Sequence, residues 1–339
     1  MQREWKNTLY MYVNQYNRSE VDYRPQAVNP IVTDLDHVMR KSERMQLLER
    51  WYRERASVPL RSETRTKLLR TREGDGEVVV DLEFHIRRYY EKRNITHMEE
   101  RLERERLTLS RDGQAWLVTR VETAVPERHP VMVHAPSIAE PAAAELQEEP
   151  LKAQSVPYLN MDVLGFAKSS RAIPYYRQRA VQYADQWWNE PNPDFLTFEV
   201  DCTNFVSQCL FAGGAPIYYT GRRESGWWYK GRINGREEWS FSWAVSNSLQ
   251  AYLSTSRTHL RAEAVSGPEE LQLGDVILYD WDGNGHYQHS VIVTAFDAGG
   301  MPLVNARTTS SRHRYWDYRD SYAWTDQTKY RFFHIADQF

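Results

Sequence analysis

One cysteine of the chain, Cys202, lies in a segment that favours nucleophilic chemistry, F-E-V-D-C-T-N-F-V-S-Q-C-L-F-A-G-G at residues 198–214. Apolar residues follow Cys202 at spacings of three and four, and Gly213-Gly214 ends the run. The pattern predicts a buried helix with Cys202 in its first turn. Free backbone N–H groups and the helix dipole at that position favour a thiolate, which is the reactive form of cysteine. The alternative is an inert cysteine in the core, the commonest fate of a free cysteine.

A histidine and a polar residue later in the chain complete a candidate catalytic set. His289 begins the apolar run H-S-V-I-V-T-A at the exit of a polar loop, and a strand end beside a loop is well placed to face a cleft. Asn305 lies on the strand that follows the Gly299-Gly300 turn, with Arg307 two residues beyond. Antiparallel pairing across that turn would bring Asn305 or Arg307 near His289. The set predicts a nucleophile (Cys202), a base (His289) and an orienting residue, Asn305 or Arg307.

Three further residues are candidates for contact with a substrate. Asp201 directly precedes Cys202 and is expected to cap the helix or fix the local turn. Trp227 and Trp228 lie in an aromatic, glycine-spaced region at residues 218–243. Such rings can stack on sugars or frame a peptide groove, and the alternative is that they pack in the core.

The loop D-W-D-G-N-G-H-Y-Q-H at residues 280–289 resembles part of a calcium site. Asp280, Asp282 and Asn284 match the first half of the calcium loop D-x-D-x-N-G, but Val291 stands where the bidentate glutamate is expected. The alternative is a polar turn that positions His289. No other metal is expected, because the two cysteines, Cys202 and Cys209, have no nearby histidine at zinc spacing.

Composition excludes several classes of function. The 339 residues contain 43 Lys and Arg against 46 Asp and Glu, and a net charge of −3 gives no argument for nucleic acid. No apolar run approaches the ~18 residues of a membrane span. The first residues lack the apolar core of a secretory signal. We therefore expect a protein that stays in the cytoplasm, or one that reaches the spore or cell envelope. The second location would require a leader that has been removed or another export route.

A proline-punctuated, Ala- and Glu-rich stretch at residues 125–157 predicts a semi-extended linker between two domains. Residues 1–124 predict a helix over 31–57 and then four strands, with turns at 74–76 and 112–113. The four strands are predicted at Glu63–Arg72, Glu77–Lys92, Met98–Arg111 and Gln114–Val121. This helix-plus-antiparallel-sheet pattern indicates an α+β domain of cystatin-like or NTF2-like type, with a binding or packing role.

Residues 158–339 predict a second α+β domain. A helix over 174–189 precedes the Cys202 segment, and four later runs predict strands: Asp275–Tyr279, His289–Ala295, Pro302–Ala306 and Tyr330–Ile335.

Several motifs of this second domain, spanning about residues 174–310, resemble the amidase domain family of Gram-positive bacteria, a branch of the papain-like NlpC and CHAP superfamily. The motifs are A-V-Q-Y-A-D-Q-W-W-N, D-C-T-N-F-V-S-Q-C-L-F-A-G-G-A-P, S-F-S-W, L-Q-L-G-D-V-I-L-Y-D-W-D and H-S-V-I-V-T. The resemblance implies a papain-like fold in which Cys202 attacks an amide carbonyl, His289 acts as the base and Asn305 orients it. That family often has a histidine where this chain has Arg307.

The sequence therefore predicts a cysteine-dependent amide hydrolase that acts on cell-wall (peptidoglycan) peptide through a thioester. An acyltransferase that uses the same cysteine is one alternative. The other is a catalytically inactive wall- or peptide-binding module on the same fold.

Overall fold

A computed structural model of the chain describes residues 4–22, 31–128, 131–132, 172–233 and 236–339. The first part contains two helices and five strands: α1 (Trp5–Asp22), α2 (Leu35–Glu54), β1 (Val58–Glu73), β2 (Glu77–Lys92), β3 (Ile95–Asp112), β4 (Ala115–Val125) and β5 (Val131–Met132). The predicted linker at 125–157 lies outside the described residues, apart from 125–128 and 131–132.

The second part begins with two helices and ends in strands. Its elements are α3 (Arg177–Trp187), α4 (Cys202–Ala212), β6 (Tyr229–Ile233), β7 (Arg236–Trp239), α5 (Phe241–Ala244), α6 (Ser246–Thr255), β8 (Ala262–Val265), β9 (Val276–Asp280), β10 (His289–Phe296), β11 (Pro302–Ala306), β12 (Ser311–Tyr315) and β13 (Lys329–Ile335). The chain is thus mixed α+β with a large antiparallel sheet, which confirms the predicted class.

Strand β2 shows why the first sheet forms. Its side chains alternate strictly between buried and half-exposed, with Val80, Leu82 and Phe84 completely buried. Period-two alternation gives a strand one apolar face, which must be covered. The cover is α1, whose Tyr12 and Tyr16 pack in the same cluster. Helix α1 was not predicted from the sequence.

The two predicted domains share one sheet. Strands run in the order β1-β2-β3-β12-β11-β10-β9-β13-β8, and β4 pairs with the far part of β3. The connection is the antiparallel pairing of β3 with β12, where Ser311 lies opposite Arg101 and Arg312 opposite Glu100. Backbone hydrogen bonds therefore pass continuously from the first half of the chain to the second.

Buried charges reinforce this connection. Asp320 accepts hydrogen bonds from Arg101 Nη1 at 2.7 Å and from Arg314 Nε at 2.9 Å. Arg88 pairs with Glu20 and Glu99 in the same region. All of these side chains are buried, so each charge depends on its partners for the stabilisation that water would otherwise supply.

Helix α4 packs on one face of the second part of the sheet. Its Phe205, Val206 and Cys209 share an apolar cluster with Leu278 of β9 and Ile292 of β10. Residues on the opposite face of these two strands belong to a different cluster, which contains Ile277, Tyr279, Val291 and Val293. Both faces of β9 and β10 are therefore buried. No helix among the described residues combines the length and apolar character that crossing a membrane requires.

Candidate active site

Two hydroxyl groups contact the Cys202 thiol, and a third contacts one of them. Cys202 is the first residue of α4 and is 1% exposed. Its Sγ lies 3.7 Å from Ser246 Oγ and 3.8 Å from Thr203 Oγ1. Thr203 Oγ1 in turn lies 2.7 Å from Ser246 Oγ and 3.0 Å from Ser290 Oγ. The thiol therefore belongs to a polar cluster that joins the starts of α4, α6 and β10.

The start of α4 donates its backbone hydrogen bonds to one hydroxyl oxygen. Thr308 Oγ1 accepts from the backbone nitrogen of Asp201 at 2.9 Å and of Cys202 at 3.1 Å. The first N–H groups of a helix have no partner within the helix and carry the positive end of its dipole. A side-chain oxygen therefore lies at the position where this helix start stabilises negative charge.

Asp201 holds the turn before α4 and makes no side-chain cap of the helix. Its Oδ1 accepts from the Phe198 backbone nitrogen at 3.1 Å and from Asn204 Nδ2 at 2.8 Å. Its Oδ2 forms an ion pair with Arg307 Nη1 at 3.2 Å. Burial raises the pKa of Asp201, and the Arg307 guanidinium opposes that shift.

The structure does not direct His289 toward α4. Side chains alternate along a strand, and Ser290 of β10 is the residue whose hydroxyl contacts Thr203 of the helix. The neighbouring His289 ring lies between Tyr279, Trp281 and Tyr318, at centroid distances of 5.6, 5.8 and 5.4 Å.

The surroundings of His289 keep its ring neutral. The ring is completely buried, and neither of its nitrogens has a hydrogen-bond partner among the described residues. Burial lowers the pKa of His289 to about 4. The ring is therefore uncharged at neutral pH, but in this conformation it does not face the thiol.

Asn305 belongs to a different cluster from the thiol. Its Oδ1 accepts from Thr294 Oγ1 at 2.8 Å and from the His313 backbone nitrogen at 2.9 Å, and its Nδ2 donates to Asp185 at 3.0 Å. His313 Nε2 lies 3.3 Å from the same Asp185 carboxylate. Burial would raise the pKa of Asp185, but the hydrogen bonds from His313 and Asn305 outweigh it and lower the pKa to about 2.

This Asp185–His313 pair was not singled out from the sequence. Its members come from α3 and β12, 128 positions apart, and no local spacing joins them. The alternative third residue, Arg307, does lie at the α4 start, paired with Asp201.

The two candidate tryptophans are core residues. Trp227 and Trp228 are 0% and 2% exposed. Trp227 Nε1 donates to Ser207 Oγ at 3.0 Å and packs against Trp243 at a centroid distance of 4.9 Å. Trp228 Nε1 donates to the Ser225 carbonyl at 2.9 Å. Large indole rings with a satisfied N–H bury much apolar area, so in this structure they pack in the core and do not frame an open groove.

The calcium-like loop uses its oxygens within the chain. The Asp280 carboxylate accepts from the backbone nitrogens of Asp282, Asn284 and Gly285 at 3.2, 3.3 and 2.7 Å. Asp282 Oδ1 pairs with Arg128 Nη1 at 3.0 Å. Among the described residues no three His, Cys, Asp or Glu side chains are placed to hold a metal ion. The contacts describe a polar turn that leads into β10.

A groove of about 1300 Å³ opens beside the α4 start, between the two halves of the chain. One side is formed by β1, β2 and β3, and the other by the segments 189–191 and 197–201 with the loop 307–310. Asp201, Arg307 and Thr308 line this groove, so the helix start of Cys202 lies at its wall.

Residues 174–333 match the model of a family described as "Putative amidase domain". The match contains Cys202, His289, Asn305 and Arg307, and it supports an amidase domain in the C-terminal half. The first half of the chain lies outside it.

Two curated proteins of Bacillus subtilis strain 168 are similar to this chain, and both are named as uncharacterized. YhbB is 52% identical over 167 residues, which cover 49% of this chain and 52% of YhbB. YjcM is 26% identical over 133 residues, which cover 36% of this chain and 28% of YjcM. The chain thus spans about half of YhbB and less of YjcM. No solved structure matches the chain significantly.

Proposed function

We propose that the C-terminal half hydrolyses amide bonds, that Cys202 is the nucleophile, and that the substrate is a peptide of the cell wall. The observation that carries the proposal is the helix start, where the backbone N–H groups of Asp201 and Cys202 donate to Thr308, a residue that lines a wide groove. A nucleophile beside donors that stabilise an oxyanion is the arrangement required for acyl transfer. The family match to residues 174–333 supports the reaction class.

The proposed reaction has two halves. The base takes the proton of the Cys202 thiol, and the resulting thiolate attacks the amide carbon. The Cys202 N–H donates to the oxygen of the tetrahedral intermediate, at the position now filled by Thr308 Oγ1. The C–N bond then breaks, and the protonated base gives its proton to the leaving amine. Water attacks the resulting thioester, which releases the acid and restores the thiol.

We assign the base to His289, and this assignment requires a change of conformation. The ring is neutral, as a base must be, but it lies on the sheet face away from the thiol. His289 is the first residue of β10, and the loop before it contains Gly283 and Gly285, both with positive φ. A change in the conformation of this loop would be needed to bring the ring to the face of β10 on which Ser290 contacts Thr203. Asn305 would orient the base only after the same rearrangement, since it now bonds Asp185.

One observation favours a second candidate, a peptide-binding module without activity. The thiol is 1% exposed and the imidazole is completely buried, so the described conformation is not poised for attack. Such a protein would bind a peptide in the groove and leave it intact. An acyltransferase differs from the hydrolase only in the group that attacks the thioester.

Purified peptidoglycan fragments incubated with the full chain separate these candidates. We expect new free amines and carboxylates with the wild type, none with Cys202→Ala, and wild-type amounts with the matched control Cys209→Ala. Addition of a second amine would shift the product to a new amide if the protein is a transferase. Binding of the fragments without any new amine would support the module and contradict the hydrolase.

A further inference from the structure

The groove beside α4 has a basic floor that comes from the first half of the chain. In the sheet, Arg65 lies opposite His85, Lys67 opposite Glu83, and Glu83 opposite Arg104. Directly opposed residues of antiparallel strands point to the same face. All five side chains belong to residues that line the groove. The face of this sheet away from α1 is therefore the floor of the groove.

Two positive charges of this floor are uncompensated. Arg104 pairs with Glu83 at 2.8 Å, and Arg106 pairs with Asp81 at 2.6 Å. Arg65 and Lys67 are exposed and make no ion pair with any described residue. Long basic side chains that face a groove without carboxylate partners favour an anionic ligand.

The opposite wall has the opposite charge. Glu190 and Glu199 line the groove from the segments that follow α3, are exposed and make no ion pair with any described residue. Asp201 on the same wall is neutralised by Arg307. The groove is therefore bipolar across its width, with the α4 start at the acidic wall.

We infer that this groove binds a peptide that carries both charges, with a carboxylate over Arg65 and Lys67 and an ammonium group beside Glu190 and Glu199. The first half of the chain then binds the acidic end of the ligand, and the C-terminal half binds its basic end. Such a peptide would pass the helix start of Cys202, which makes it a substrate if the proposed function holds. Binding itself does not depend on catalysis.

Fluorescence anisotropy with three labelled octapeptides tests the inference on the full-length Cys202→Ser variant, which lacks the proposed nucleophile. The first peptide is alanine-based with two glutamates at one end and two lysines at the other. The second has glutamines for the glutamates, and the third has glutamines for the lysines. Exposed ion pairs are individually weak, so loss of two is expected to weaken binding by about threefold to tenfold, which corresponds to about 0.6–1.4 kcal/mol in total.

The expected pattern is specific to charge and position. Arg65→Gln with Lys67→Gln raises the Kd of the first and third peptides, which carry glutamates, by about threefold to tenfold and leaves the Kd of the second unchanged. Glu190→Gln with Glu199→Gln raises the Kd of the first and second peptides and leaves that of the third unchanged. The matched control is Arg70→Gln with Arg72→Gln, which removes the same charge from exposed positions of β1 outside the groove. It changes no Kd by more than about twofold.

Three results would overturn the inference: equal weakening of all peptides by one double variant, an equal effect of the control, or no effect of either. Circular dichroism of each variant excludes unfolding as the cause. If the wild type hydrolyses nothing while the binding pattern holds, the proposed function fails and this inference stands. If hydrolysis is seen but the groove variants bind all peptides normally, the inference alone fails.

Discussion

Thr308 Oγ1 lies 3.1 Å from the backbone nitrogen of Cys202 and accepts its hydrogen bond. Thr308 has a φ of 88°, a region that β-branched residues rarely adopt because Cβ approaches the backbone. The hydroxyl therefore reaches the α4 start from an unfavourable backbone conformation. In the proposed reaction this oxygen occupies the place of the substrate oxygen.

Removal of the Thr308 hydroxyl should therefore ease substrate binding. We expect Thr308→Ala to lower KM with little change in kcat, because the two N–H groups become free for the substrate oxygen. The variant should lose about 1–2 kcal/mol of unfolding free energy with its two hydrogen bonds. Thr308→Ser keeps the hydroxyl and serves as the control. A loss of kcat beyond about tenfold in a folded Thr308→Ala protein would show that the hydroxyl assists catalysis instead.

The two cysteines should differ in reactivity. Cys209 is completely buried in the apolar cluster, and burial raises the pKa of its thiol well above the usual value. Only the thiolate reacts with alkylating agents, so Cys209 should stay unmodified while the protein is folded. We expect iodoacetamide at pH 7.5 to label Cys202 first, as read by peptide mass spectrometry. Equal labelling of both residues would mean that the modification reports unfolding.

If His289 is the base, activity should fall on the acid side only at low pH. The base must be neutral, and the pKa of His289 is lowered from 6.5 to about 4, so kcat/KM should fall as the pH drops through about 4. His289→Gln should abolish most of the activity, whereas His313→Gln, on another strand, should retain it. Loss of activity in His313→Gln but not in His289→Gln would instead assign the base to His313, which is paired with Asp185.

The same shift affects stability and must be separated from activity. Between pH 6.5 and 4 the unfolded chain binds a proton at His289 that the folded chain does not bind, so stability falls as the pH decreases through this window. Circular dichroism recorded alongside the rates distinguishes the two effects. If structure is lost at a higher pH than activity, the fall in rate reports unfolding and not protonation of the base.

How much of this could be read from the sequence depends on the local strength of each pattern. Strand β2 was predicted with its observed bounds, Glu77–Lys92, because its alternation is strict and a glycine turn precedes it. The Asp112-Gly113 turn likewise joins β3 to β4 as predicted. In each case a short stretch of chain contains the whole signal.

The orientation of His289 could not be read in this way. In H-S-V-I-V-T both faces of the strand are buried, and Val291, Ile292 and Val293 follow one another without alternation, so the pattern does not say which face meets α4. The β3–β12 pairing was equally hidden, because it joins residues about two hundred positions apart with charged sequences. The indole rings of Trp227 and Trp228 fit a groove or a core by sequence alone.

The buried charges that connect the two halves of the chain should contribute strongly to the free energy of unfolding. Burial would raise the pKa of Asp320, but Arg314, Arg101 and Arg88 together lower it well below the usual value. Asp320→Asn removes the buried carboxylate that Arg101 and Arg314 share, so we expect a loss of about 3–5 kcal/mol of unfolding free energy in urea titrations. Asp81→Asn breaks the more exposed pair with Arg106 and should cost at most about 1 kcal/mol.

The pH dependence of this network has a definite sign. The pKa of Glu20 is lowered from 4.5 to about 2, because the attraction of Arg88 and Arg101 outweighs the effect of its burial. Its contribution to stability is complete above pH 4.5 and is lost as the pH falls toward 2. Equal costs for Asp320→Asn and Asp81→Asn at neutral pH would contradict the structural role given to the network.

The proposed reaction requires that Cys202 form a thioester with the acyl group of an amide substrate. Rapid acid quenching of the full chain with peptidoglycan fragments, followed by mass spectrometry of the intact protein and its peptides, tests it directly. We expect an added acyl mass on the peptide that contains Cys202, absent from Cys202→Ser and present in Cys209→Ala. Release of new amines with no acyl group ever found on Cys202, or release by Cys202→Ser at the wild-type rate, would contradict it.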